Sequence, residues 1–176
     1  RTLVYFIRPA GVQSMAFAQL CPAITVECGK VGQTAGEVHA QEFLQACLHL
    51  SQIPDHPVAA HDVDLFHTVA TVRVPGAYSF GFGEQPVDIC FINDLDHLNF
   101  RELPVGTTLA QLDGVDGSPL EALDEQGREV ADRFFRVDGE LLQTTRALMP
   151  SMFTLDERVI RQDCLGYLME RYPLPD

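Results

Sequence analysis

The chain has 176 residues, 46% of them hydrophobic, a mean hydropathy of +0.02 and a formal net charge of −13, which is material for one ordinary core or two small units of a globular protein. Twenty-five acidic residues stand against twelve basic ones, and Lys30 is the only lysine, so nucleic acid is excluded as a partner, because phosphate binding needs clustered Lys and Arg. The apolar runs are strand-sized and far below the ~20 residues of a membrane span, and the N-terminus does not read as a signal peptide.

Taken in chain order, Thr2 to Ile7 is a continuous apolar run, as expected of a strand covered on both faces of a parallel sheet, and Pro9 stops it. The chain opens on Arg1 inside this run, so it is expected to be the later part of a longer polypeptide. Gln13 to Leu20 reads as a short helix. Pro22-Ala-Ile-Thr-Val-Glu27-Cys-Gly29-Lys30 follows, in which β-branched Ile24, Thr25 and Val26 predict a strand from Ala23 to Cys28 and Gly29 permits a sharp exit. Thr34-Ala-Gly-Glu37 reads as a capping box that opens a helix to about Leu50, with Ala40, Phe43, Leu44, Cys47 and Leu48 on one apolar stripe. Strand, helix, strand, helix is a β/α unit. Its first and second strands are expected to be parallel neighbours, with the capped helix packed on the sheet.

Pro54 and Pro57 mark a linker, and the signal then changes period. His67 to Val74 and Val87 to Ile92 read as strands, and Leu103 to Ala110, Arg133 to Val137, Glu140 to Leu142, Arg146 to Met149 and Val159 to Glu170 as further short strands and turns. Charge changes at the same place. Residues 1–60 carry three basic and four acidic residues, a net of −1, whereas residues 61–176 carry nine and twenty-one, a net of −12. Two domains are expected: 1–60, a partial α/β unit carrying the Glu27 strand, and 61–176, an acidic antiparallel β domain.

In open α/β sheets ligands sit beyond the carboxyl ends of the strands. Glu27, at a predicted strand end, is therefore where a catalytic acid or base would be mounted, although such a residue is more often solvated or ion-paired. Arg8 ends the first strand and Lys30 follows Gly29. Both are candidates to grip a substrate carboxylate, against the plainer reading of exposed surface charge. His39-Ala-Gln-Glu42 has the three-residue spacing of a helical metal pair, but it falls on the polar side of its helix with Gln45 and His49 and reads as a solvated face. His61-Asp-Val-Asp64 with His67, and Asp94-Leu-Asp-His97, sit in a predicted linker and turn where such residues are ordinary. Cys21, Cys28, Cys47, Cys90 and Cys164 are odd in number and lack a C-x-x-C pair, as expected of reduced thiols in a cytoplasmic protein.

Pro22 to Gly29 followed by a capped helix, a proline-bearing linker and a compact β domain resembles the C-terminal half of the succinylglutamate desuccinylase and aspartoacylase family, which is similar in fold to the zinc carboxypeptidases. Leu103-Pro-Val-Gly-Thr-Thr-Leu-Ala110 and Ala147-Leu-Met-Pro150 resemble turns of that family's appended β domain. The resemblance implies an α/β fold, the second half of a zinc-carboxypeptidase-like sheet domain followed by the β domain. It also implies a zinc-dependent hydrolase of N-acyl amino acids or related amides and esters, with Glu27 taking a proton from zinc-bound water and later giving one to the departing amine. Zinc lowers the pKa of bound water to about 7, and a placed carboxylate adds a factor of roughly 10² to 10⁴. The family's zinc ligands, an H-x-x-E pair and a second histidine, precede the glutamate strand and cannot be placed in this chain. Cut as it is, the chain is expected to hold half of an active site. Assembly with copies of itself is left open. The alternative is a non-catalytic interaction or assembly module built on the acidic β domain, with Glu27 merely structural.

Overall fold

A computed structural model describes residues 2–5, 13–29, 32–53, 59, 61 and 63–173. The chain is mixed α and β and divides into two units, one of residues 1–7 with 60–176 and one of residues 8–59. The elements in order are β1 (Thr2–Tyr5), α1 (Gln13–Phe17), α2 (Thr34–Leu48), β2 (Asp64–Arg73), β3 (Phe80–Phe82), β4 (Ile89–Phe91), a 3-10 turn (Leu95–Leu98), β5 (Thr108–Leu112), β6 (Glu121–Leu123), α3 (Ala131–Phe134), β7 (Phe135–Asp138), β8 (Leu141–Thr144), β9 (Met149–Ser151), α4 (Glu157–Gln162) and β10 (Gly166–Arg171).

The β unit consists of two five-stranded sheets, β1-β2-β10-β9 with β6 also on β2, and β3-β4-β5-β8-β7. Strand β2 is the longest. Its Phe66, Thr68, Ala70 and Val72 are buried and alternate with less covered neighbours, the period-two signature of a strand with one face on a core. One edge of β2 takes β1 in parallel over its first half, from Thr2 opposite Asp64 to Tyr5 opposite His67, and β6 in antiparallel over its last residues. The other edge takes β10, with an irregularity between Leu168 and Met169 that changes the register. Val72, Ile89, Phe91, Leu95, Leu109 and Phe134, each at most 1% exposed, belong to one continuous core.

The β unit departs from an all-antiparallel domain at two places. One is the β1–β2 pairing, which makes the first predicted strand a neighbour of Asp64–Arg73 and not of Ala23–Cys28. The other is a parallel pairing of β3 with β4, Phe80 opposite Ile89 and Phe82 opposite Phe91. Parallel neighbours ordinarily need a long crossover, yet only residues 83–88 connect these two. A reciprocal knot closes the pair: the Asp88 carboxylate accepts from the Ser79 amide at 2.6 Å and the Ser79 hydroxyl at 2.7 Å, and the Asp88 amide donates to the same hydroxyl oxygen at 3.0 Å. Those hydrogen bonds hold the Asp88 carboxyl below the usual carboxylate range.

Val159 to Glu170 is a helix followed by a strand. Asp156 caps α4 by accepting from the Arg158 and Val159 amides at 3.0 and 3.4 Å, Ile160 is buried, and the chain turns through Cys164 and Leu165 into β10. Burial, ahead of the nearby Asp163 charge, pushes the Cys164 thiol pKa up. From α4, Arg161 donates to the carbonyl oxygens of Pro75 and Tyr78 at 3.2 and 2.5 Å and lies 4.5 Å from the Phe80 ring centre.

In the 8–59 unit, Ala23–Cys28 forms no strand and no described residue from 13 to 53 is buried. Extended propensity needs a paired edge to become a strand, and the described part of β1 is paired with β2. Helix α2 forms where expected, but its stripe is largely uncovered: Ala40 and Phe43 are half-buried, while Leu44, Cys47 and Leu48 are exposed. The helix starts one residue earlier than the capping box requires. Gln33, at φ −92° and ψ 112°, is the N-cap and makes no side-chain cap bond. Thr34 is already helical, so its hydroxyl is not in the cap position.

Phe91→Ala is expected to cost about 3–5 kcal/mol of stability in urea unfolding, because Phe91 is 1% exposed in the continuous core. Leu44→Ala, on the uncovered stripe, should stay within about 0.5 kcal/mol of the parent.

The carboxyls of Asp64, Asp88 and Asp156 are held low by hydrogen bonds to Arg171, Ser79 and Arg158 respectively. A depressed folded-state pKa contributes stability that is present above the unfolded value of about 3.9 and lost as pH falls through the folded value. Melting temperature should therefore fall steeply below about pH 4. Asp88→Asn should flatten that acid dependence, which differential scanning calorimetry at a series of pH values would reveal.

Candidate functional site

Glu27 is exposed in an irregular segment from Pro22 to Gly29 that lies against the start of α2. Two glycines set that geometry. Gly29 has φ +97°, a conformation side-chain-bearing residues rarely adopt, and a Cβ built there would sit 3.3 Å from Gln33 Oε1. Gly36, in the first turn of α2, is reached by the Cys28 backbone: a Cβ built on Gly36 would sit 2.1 Å from the Cys28 carbonyl oxygen and 3.2 Å from its carbon. The peptide that follows Glu27 is therefore seated on the helix with no room between them. Sequence reasoning missed Gly36, although a glycine inside a helical pattern is itself the signal of close backbone approach.

The predicted substrate contacts Arg8 and Lys30 lie outside the described residues. His39 and Glu42 are exposed on α2, and the His49 ring Nδ1 lies 2.6 Å from the Gln45 carbonyl oxygen, as expected of a solvated polar face. In the linker cluster Asp62 is outside the described residues, and the structure gives Asp64 and His67 different partners. Asp64 accepts from Arg171 at 2.5 Å, and Arg171 also reaches Glu102 at 2.8 Å. His67 Nε2 lies 2.5 Å from Glu125 Oε1, with the Tyr172 ring edge-on at 6.3 Å. Asp94 precedes the 3-10 turn and Asp96 and His97 lie within it, where His97 is 4.0 Å from Asp96.

Among the described residues no group of three His, Cys, Asp or Glu side chains could hold a metal ion. The described residues do not by themselves supply a zinc site. No described helix is long and apolar enough to cross a membrane.

The β unit brings together the two segments that carry the rest of the resemblance. Leu103 and Leu148 exchange backbone hydrogen bonds at 2.7 and 3.2 Å. Thr144, four residues earlier and fully buried, accepts the Thr107 amide at 3.0 Å through its hydroxyl and donates that hydroxyl to the Pro104 carbonyl at 2.8 Å. An open groove of about 550 Å³ on the second sheet gathers Glu84, Asp113 and Glu140 beside Cys90, with no basic side chain in its lining. These acids are far apart in sequence and meet only through the β4–β5–β8 pairing, so no local motif announces them. A wall of this charge repels a substrate carboxylate.

No family model matches the chain, and no solved structure matches it. Three curated proteins, each an FO synthase, two from strains of Mycobacterium tuberculosis and one from Mycobacterium bovis, are 30% identical to it over 123 residues, covering 68% of this chain. The matched stretch spans 14% of the length of each of these relatives.

If the helix face of His39 and Glu42 is only solvated, His39→Ala and Glu42→Gln should each leave the metal content of the full-length protein within about 10% of the parent, since neither would be one of the few ligands that fix zinc affinity. Atomic-absorption measurement of zinc per chain checks this, and zinc lost on His39→Ala would restore the helix pair as a ligand set.

Proposed function

We propose that the protein is a zinc-dependent deacylase, hydrolysing an N-acyl amino acid or a related amide or ester, and that this chain contributes Glu27 as its proton carrier. The observation that carries the reading is the exposed carboxylate of Glu27, on the segment that resembles the late glutamate motif of the succinylglutamate desuccinylase and aspartoacylase family. The pairing of Leu103 with Leu148 supports it further, since both of the other segments that resemble the family meet there. Likeness over 123 residues to part of FO synthase is likeness to an enzyme; it bears on enzyme against non-enzyme and not on the bond cleaved.

Zinc, when held by ligands outside the described residues, would supply Lewis-acid activation. The role left to this chain is proton transfer. A carboxylate open to solvent can accept the proton of an attacking water through one oxygen and return it to the departing amine nitrogen, which otherwise leaves as a poor amide anion. A carboxylate suits both transfers because the same oxygen that accepts the proton can hold it and hand it on.

The second reading, a non-catalytic module, is favoured by the self-contained core of the 60–176 segment and its net charge of −12 over residues 61–176. The two readings separate in one experiment on the full-length, zinc-loaded protein, using N-acetyl- and N-succinyl-amino acids as substrates. Glu27→Gln is nearly isosteric and should keep zinc content and melting temperature, while kcat falls by roughly 10² to 10⁴ because a neutral carboxamide is too weak a base to take up the proton of the attacking water. Near-parental turnover by Glu27→Gln would overturn the catalytic role.

A further inference from the structure

Gly36 occupies a position in α2 where alanine would be the better helix former, and its own backbone is helical, so its conformation does not call for glycine. What calls for it is the chain opposite. The Cys28 carbonyl oxygen would lie 2.1 Å from a Cβ at Gly36, whereas ordinary contact begins near 3.4 Å. The neighbour is backbone, which cannot swing aside as a flexible side chain could. Any side chain at residue 36 must therefore push the 28–29 peptide off the helix by roughly 1 Å, and Glu27, one residue earlier, moves with it.

From this geometry we infer that Gly36 is a positioning residue for Glu27: the absence of a side chain in the first turn of α2 lets the helix serve as the seat that fixes where the carboxylate stands. The inference rests on the catalytic reading of Glu27. Gly36 and Cys28 both belong to the 8–59 unit, so the contact between them is internal to that unit.

The test uses the full-length, zinc-loaded protein with N-acetyl- and N-succinyl-amino acids as probes. Gly36→Ala is expected to keep zinc content and a cooperative melt, while kcat falls about 10²-fold, the scale set by a 1 Å misplacement of a reacting group, and KM stays within about two-fold. In the double variant, Gly36→Ala should add no further loss to Glu27→Gln, because misplacing a group that no longer carries the proton removes nothing more. Parental kcat in Gly36→Ala overturns the inference. Losses that multiply in the double variant also overturn it, as does loss of zinc or of the cooperative melt, either of which assigns Gly36 to the fold alone. Failure of the underlying reading is distinct: it shows as near-parental turnover in Glu27→Gln by itself, and it removes the inference with it.

Discussion

The pairing of β2 on both of its edges is the constraint on which the β unit depends. Ten residues long, β2 is the only strand among the described residues that meets three others, with β1 and β6 dividing one edge and β10 filling the other. Every buried backbone donor and acceptor needs a partner, so a central strand of this length dictates where its neighbours stand and in which register. Its alternation then decides the core, because a slip of one residue would turn Phe66, Ala70 and Val72 outward. The parallel placement of β1 follows from the same demand: one half of an edge is left open by the short β6, and a four-residue strand far away in sequence completes it.

Arginine does much of the remaining organisation in an acidic chain. Arg171 joins Asp64 to Glu102 and lies 4.8 Å from the Phe66 ring centre, while Arg161 fastens α4 to the 75–80 turn. These planar groups use several donors at once and stack on aromatic faces, which a lysine cannot do equally well. Exposed ion pairs of this kind are individually worth little. Their effect is to tie Glu102 and the turn at Pro75 and Tyr78, which lack regular pairing, to β10 and α4. The many carboxylates left over make the surface of this unit repellent to anions, and the groove beside Cys90 shares that character.

The 8–59 unit is organised on a different principle. It has no buried side chain among the described residues of 13–53, and what orders the Glu27 segment is direct seating of backbone on backbone at Cys28 and Gly36. Contact of this type specifies position sharply while stabilising little, because it removes almost no apolar surface from water.

Much of the secondary structure was legible in the sequence. The alternation in His67–Val74, the apolar runs around Ile89–Phe91 and Thr108–Leu112, and the helical spacing from Thr34 all mark elements that form, because these signals are local. Strands β3 and β6 carry no such signal, since glycine interrupts Phe80-Gly-Phe82 and a charge and a small residue fill most of Glu121-Ala-Leu123. The β-branched run Ile24-Thr-Val26 misled, because a strand is a pairing, and propensity alone does not supply the second edge. Helix α4 was read as strand and turn because its one-turn apolar spacing, centred on Ile160, resembles a short extended run until the Asp156 cap is seen. At the candidate site the sequence by itself determined the residue type, a glutamate followed by a glycine exit. Tertiary structure alone decided that Glu27 stands in irregular chain and that the peptide following it rests on Gly36. Contact between residues eight apart depends on the path of the backbone between them, and neither composition nor period records that path.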